Sequence, residues 1–73
     1  MEVFQCGTQV ILKNSNYEGI ITAINIRDNR VSYEVSYYEV GIYKSIWISD
    51  YQFIEDAFKN NNKIVIGFKG ESQ

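Results

Sequence analysis

Glu34, Glu39, Asp50 and Glu55 are the residues from which a hydrolytic acid–base pair could be built, because two carboxyl groups in unequal surroundings can donate and accept a proton. The rest of the chain does not complete such a site. There is no histidine, and Cys6 is the only cysteine, so neither an imidazole base nor a Cys/His zinc set can be assembled. No nucleophile with a partner base and no phosphate-cradling glycine loop accompanies the carboxylates. The expectation is therefore a protein that is not an enzyme and carries no metal or cofactor. Its acids sit on strands and turns, with Ser49 and Asp50 suited to capping a short helical turn. Cys6 reads as a half-buried apolar residue near the first strand, since nothing beside it would lower its pKa.

Binding chemistry is better represented. Aromatic residues make up 15% of the chain, with six Tyr, four Phe and one Trp. Tyr17, Tyr37, Tyr38, Tyr43, Trp47 and Tyr51 fall at turns or on the second half of the chain, where rings could converge on one groove. Rings of this size also fill small cores, and Tyr33, Tyr37 and Trp47 have that competing use. Lys13, Arg27, Arg30 and Lys44 could form a basic edge for RNA or DNA. However, Asp28 stands between the two arginines and Glu34 is close by, which favours solvated hairpin charges that deter edge pairing. Seven basic residues against nine acidic ones give a net charge of −2, so there is no excess positive charge to hold a polyanion by counterion release.

The elements that must position these residues are strands. Apolar residues recur at every second position and β-branched types dominate. Gln9–Lys13 forms a first strand with Val10 and Leu12 on one face, followed by the turn-forming Asn14-Ser15-Asn16. Glu18–Ile26 is a second strand, opened by Gly19 where a Cβ would obstruct a close neighbour. Asp28-Asn29 turns the chain into a third strand, Arg30–Tyr38, with Val31, Tyr33, Val35 and Tyr37 alternating against Ser32, Glu34, Ser36 and Tyr38. Glu39-Val40-Gly41 reverses it again into Ile42–Ser49. There the spacing admits either face as the inner one. Placing Ile42, Ile46 and Ile48 inside turns Tyr43, Ser45 and Trp47 outward, where an indole N–H can stay wet. A 3₁₀ turn beginning at Ser49-Asp50 leads to a brief strand and to Phe53, which would plug the barrel end. Beyond it the spacing predicts a helical turn over Glu55–Lys59, a loop at Asn60-Asn61-Asn62, a last strand over Lys63–Phe68, and fraying from Gly70 to Gln73. The predicted core is Val10, Leu12, Ile21, Ile24, Val31, Tyr33, Val35, Ile46, Ile48 and Phe53.

At 73 residues there is room for one domain, 1–73, and its core must be compact. No apolar run reaches the roughly 20 residues of a membrane helix, and Met1–Cys6 lacks the regions of a secretory signal. A cytoplasmic setting fits. Abundant Ile, Asn, Tyr and Lys with no Pro or His suggest AT-rich coding DNA, as in a low-GC bacterium or its phage.

The run from Phe4 to Lys13, with Gly7 and Val10, and the run from Tyr17 to Ile24, with Gly19, Ile21 and Ile24, resemble the opening of small SH3-like barrels of the KOW and Tudor-like kind. Tyr33-x-Val35 and Trp47-Ile48-Ser49 followed by Phe53 resemble short bacterial and phage proteins of that architecture. The resemblance covers residues 4–55 and leaves the strand at 63–68 outside, free to complete the sheet, cover an edge or pair with another copy. It implies an all-β, SH3-like barrel of five or six antiparallel strands with a 3₁₀ turn. It also implies binding rather than catalysis, since Tudor-like domains enclose methylated Lys or Arg, SH3 domains hold Pro-rich peptides, and some KOW proteins bind nucleic acid. The expected function is protein binding through an exposed strand edge and an aromatic surface of Tyr17, Tyr38, Tyr43, Trp47 and Tyr51. A KOW-like nucleic-acid-binding protein and a self-associating accessory phage protein are the alternatives.

Overall fold

A computed structural model describes residues 2–56 together with residues 64 and 65. In chain order the elements are β1 (Glu2–Val3), β2 (Gln9–Leu12), β3 (Glu18–Arg27), β4 (Arg30–Glu39), β5 (Ile42–Ile48), a 3₁₀ turn (Asp50–Gln52), β6 (Phe53–Glu55) and β7 (Ile64–Val65). Five of them form one antiparallel sheet in the order β5-β4-β3-β2-β6, so the chain leaves the 3₁₀ turn to pair its late strand β6 with the early strand β2. The class is the expected one: all-β, barrel-like, antiparallel, with a 3₁₀ turn. β1 pairs with β7 in a separate two-stranded ribbon, with Val3 opposite Ile64. The predicted last strand therefore exists at 64–65 but joins the start of the chain rather than the main sheet. Glu55 is a strand residue rather than the start of a helical turn. The remainder of that turn, the asparagine loop, the rest of the Lys63–Phe68 strand and the Gly70–Gln73 segment lie outside the described residues.

Local chemistry explains the reversals. Asp28 and Asn29 both adopt positive φ (50° and 66°), the two-residue geometry that matches the right-handed twist of paired strands, and Arg27 faces Arg30 across them. Val40 and Gly41 repeat the geometry (φ 50° and 79°) between Glu39 and Ile42. Before the 3₁₀ turn, the Ser49 N–H donates to Gln52 Oε1 at 2.9 Å, so Ser49 occupies the cap and Asp50 is the first residue of the turn. Gly19 lies so close to β4 that a Cβ there would meet Val35 Cγ1 at 2.6 Å and the Ser36 carbonyl oxygen at 3.0 Å.

Val3, Val10, Leu12, Ile21, Tyr33, Val35, Ile48 and Phe53 form the buried core. Phe4, Tyr33 and Phe53 meet edge to face with centroids 5.5–5.8 Å apart, and Tyr33 accepts a hydrogen bond from the Phe4 N–H at 3.2 Å. This satisfies the buried hydroxyl, while burial pushes its pKa up. Ile21 and Ile24, three residues apart, both turn inward because β3 bulges between Ile21 and Ala23, adding one residue against β4.

Four expectations need correction. Ile24, Val31 and Ile46 pack against the core but are only half-buried. Ile42 has the inward parity predicted for it yet is 60% exposed, because β3 pairs with β4 only as far as Tyr37 and the hairpin tip outruns the core. Cys6 is exposed in the turn that precedes β2. Val3, absent from the predicted core, is sealed under it.

Candidate recognition face

Strand parity places the aromatics of β4 and β5 on opposite faces of the sheet. The outward positions of β4 are Glu34, Ser36 and Tyr38, and those of β5 are Tyr43, Ser45 and Trp47. They face each other in register as Tyr38 with Tyr43, Ser36 with Ser45, and Glu34 with Trp47. Tyr38 and Tyr43 touch edge to face at 5.4 Å and are 65% and 58% exposed; Trp47 is 53% exposed. Between these rings runs a row of hydroxyls. Thr22 Oγ1 donates to Glu34 Oε1 at 2.8 Å and lies 3.3 Å from Ser36 Oγ, which shares a 3.0 Å hydrogen bond with Ser45 Oγ. Small polar side chains make a floor between aromatic walls. Beside the tyrosine pair a groove of about 330 Å³ opens, lined by Ile20, Ser36, Tyr37, Tyr38 and Tyr43 among others.

Tyr17 does not belong to this face. It stacks on Tyr37 at 5.8 Å, packs against the core, and donates its hydroxyl to Glu39 Oε2 at 3.4 Å. Glu39 also receives the Lys44 ammonium in an ion pair. That hydrogen bond holds the Glu39 carboxyl below its usual range and pushes the Lys44 ammonium up. Tyr51 is exposed on the 3₁₀ turn, and among the described residues no ring pairs with it. Of the predicted surface of five aromatics, Tyr38, Tyr43 and Trp47 thus share the outer face of β4 and β5, with Tyr38 and Tyr43 in contact, and Tyr17 and Tyr51 lie elsewhere.

The four basic residues are not brought together either. Arg27 and Arg30 flank the Asp28-Asn29 turn beside a groove of about 550 Å³. Lys44, facing Tyr37 in register, lies toward the opposite end of β4 and is paired. Lys13 follows β2 at that same opposite end. The carboxylates do not converge: Glu34 serves Thr22, Glu39 serves Lys44, Asp50 begins the 3₁₀ turn and Glu55 pairs with Val10 on β2.

No family model, curated protein or solved structure matches the chain. The local geometry is accordingly what speaks to function. No helix among the described residues is long and apolar enough to cross a membrane.

Two features of the face escaped the sequence reading. Val40 is 91% exposed, and with the exposed Ile42 it extends the apolar character of the hairpin tip. Its signal was available, because a two-residue reversal that spends valine where Asn or Gly fits better is anomalous. The hydroxyl row was legible only as alternating serines, since the bulge that aligns Thr22 with Ser36 depends on cross-strand register.

Proposed function

We propose that this chain is a non-enzymatic protein-recognition module that docks its partner on the outer face of β4 and β5. The observation that carries this reading is the division of labour between the two faces. The inner face completes a core with Tyr33 and Phe53 as its rings, while Tyr38, Tyr43 and Trp47 remain half or more exposed on the outer face. Large rigid rings at low rotamer cost are what protein interfaces favour at their centres. Val40 adds to this support, because a β-branched residue at positive φ costs stability and is placed almost wholly in solvent.

Nucleic-acid recognition has less support, since among the described residues Arg27 and Arg30 are the only cations at their end of the β3–β4 hairpin and the net charge is −2. The test pairs binding with folding. Trp47→Ala and Tyr43→Ala should melt close to the parent while losing the partner that the parent captures from cell extract. Variants that keep that partner, or that unfold, would remove the proposal. Anisotropy with generic oligonucleotides near physiological salt should show nothing tighter than the high micromolar range. Submicromolar binding that falls steeply with salt would move the function to the arginine hairpin.

A further inference from the structure

Among the described residues the outer edge of β5 is unpaired. A two-residue turn with both φ positive is closed by a hydrogen-bonded flanking pair, here Glu39 and Ile42, and hydrogen-bonded pairs alternate with non-bonded ones along an antiparallel ladder. Ile42, Lys44, Ile46 and Ile48 therefore bond to β4. Tyr43, Ser45 and Trp47 direct their backbone N–H and C=O groups away from it. Among the described residues β4 is the only strand paired with β5.

We propose that a second copy of this chain adds to that edge, β5 against β5, antiparallel about a two-fold axis through Ser45. This rests on reading the outer face as a protein-docking surface, and it names the occupant. With the axis at Ser45, Tyr43 of one copy faces Trp47 of the other, Ser45 faces Ser45, and all three edge-directed residues find hydrogen-bonded partners. Aromatic pairs then stand on both sides of the axis. The row from Thr22 through Ser36 to Ser45 continues into the same row of the other copy. Charge selects this register over its neighbour: an axis at Lys44 would oppose the ammonium to itself, whereas the axis at Ser45 sets it against Ile46. An axis at Ile46 would take Tyr43 past the end of the strand.

Among the described residues the two sheet edges differ in how they are guarded. β6 is three residues long and ends in Glu55, with Asp56 following it, while β5 is seven residues long with Lys44 as its only charge, and that charge is taken by Glu39. The area sets the strength. Tyr43 and Trp47 leave somewhat more than half their surface free, which for rings of about 150–250 Å² amounts to roughly 200 Å² of aromatic surface per copy. A standard interface uses about 800 Å² per partner, so an edge contact of this size belongs with weak, reversible association.

Sedimentation equilibrium of the full chain carrying Cys6→Ser, from low micromolar to about millimolar, should show the mass rising from 8.5 kDa toward twice that value. Ser45→Lys places two ammonium groups at the axis and should weaken association at least tenfold with little change in melting temperature. Directly opposed Cα atoms of a hydrogen-bonded pair lie about 5.5 Å apart, within disulfide reach. Under mild oxidation Ser45→Cys in the Cys6→Ser background should therefore form a covalent dimer faster than Asn25→Cys, which is exposed on β3. A monomer throughout the range, association indifferent to Ser45→Lys, or equal crosslinking at the two cysteines would each overturn the proposal. If the chain stays monomeric while Trp47→Ala still abolishes capture of another protein, the docking face stands and only the second copy is removed as its occupant.

Discussion

The inner and outer aromatic groups share strand β4, and the rings it contributes to each have opposite fates. Tyr33 on β4 points inward, meets Phe4 and Phe53, has its hydroxyl satisfied by a backbone N–H, and is 2% exposed. Tyr38, five residues later on the same strand, points outward, meets Tyr43, and is 65% exposed. Residue type therefore does not decide what a ring does here. Parity and distance from the sheet centre do, and the pleat converts an odd difference in position into the choice between stability and surface.

The largest expected effects fall on the inner cluster. Tyr33→Ala or Phe53→Ala opens a cavity in a core of few residues and should cost about 3–5 kcal/mol, enough to leave a domain of this size largely unfolded in thermal or urea denaturation. Trp47→Ala or Tyr43→Ala should change stability by no more than about 1 kcal/mol, since the lost packing is mostly solvated. Similar losses from both clusters would break the comparison.

Gly19→Ala tests the inner face from the backbone side. Its methyl would press on Val35 and on the Ser36 carbonyl, and overpacking of this kind costs about 1–3 kcal/mol. On the outer side, Val40→Asn should raise stability by about 1 kcal/mol, because Asn tolerates the left-handed region that valine resists. An unchanged or lower melting temperature would show that the hairpin tip does not hold Val40 at a cost.

The smallest effects are those of pH, and they too separate the clusters. Burial raises the Tyr33 pKa, so the folded state holds that proton more tightly than the unfolded chain does. Stability is fully present below about pH 10, the ordinary tyrosine value, and declines as pH rises through the higher folded value. The Glu39 pKa is lowered chiefly by the Lys44 hydrogen bond, so its contribution is present at neutral pH and is lost as pH falls below the usual carboxylate range. Both side chains of that pair are largely solvated, so the acid effect should be confined to hairpin amides in hydrogen exchange or NMR. Alkaline unfolding should be global.

Much of the fold was legible because it depends on local pattern. The alternation on β4, the turn residues Asp28-Asn29 and the crowding at Gly19 each have a short-range cause. What escaped depends on contacts distant in sequence. Val3 is buried in a cluster with residues that lie far along the chain, such as Tyr33 and Phe53. Ile42 is exposed because β3 stops short of it, although its parity was read correctly. In a regular strand Ile21 and Ile24 would face opposite sides, and the bulge that turns both inward depends on register against β4 and was not read from the sequence. Within the site, parity placed Tyr38, Tyr43 and Trp47 outward, but it carried no information on Tyr17, whose loop folds back to stack on Tyr37, or on Tyr51, which the 3₁₀ turn carries away.

Trp47, the sole tryptophan, reports directly on the outer face. Acrylamide quenching of its fluorescence should be measured from low micromolar protein upward. An indole about half accessible at dilution, and progressively shielded as concentration rises, is the expected result. An indole sealed at every concentration would place Trp47 in the core and contradict the division between the two faces on which the proposed function stands.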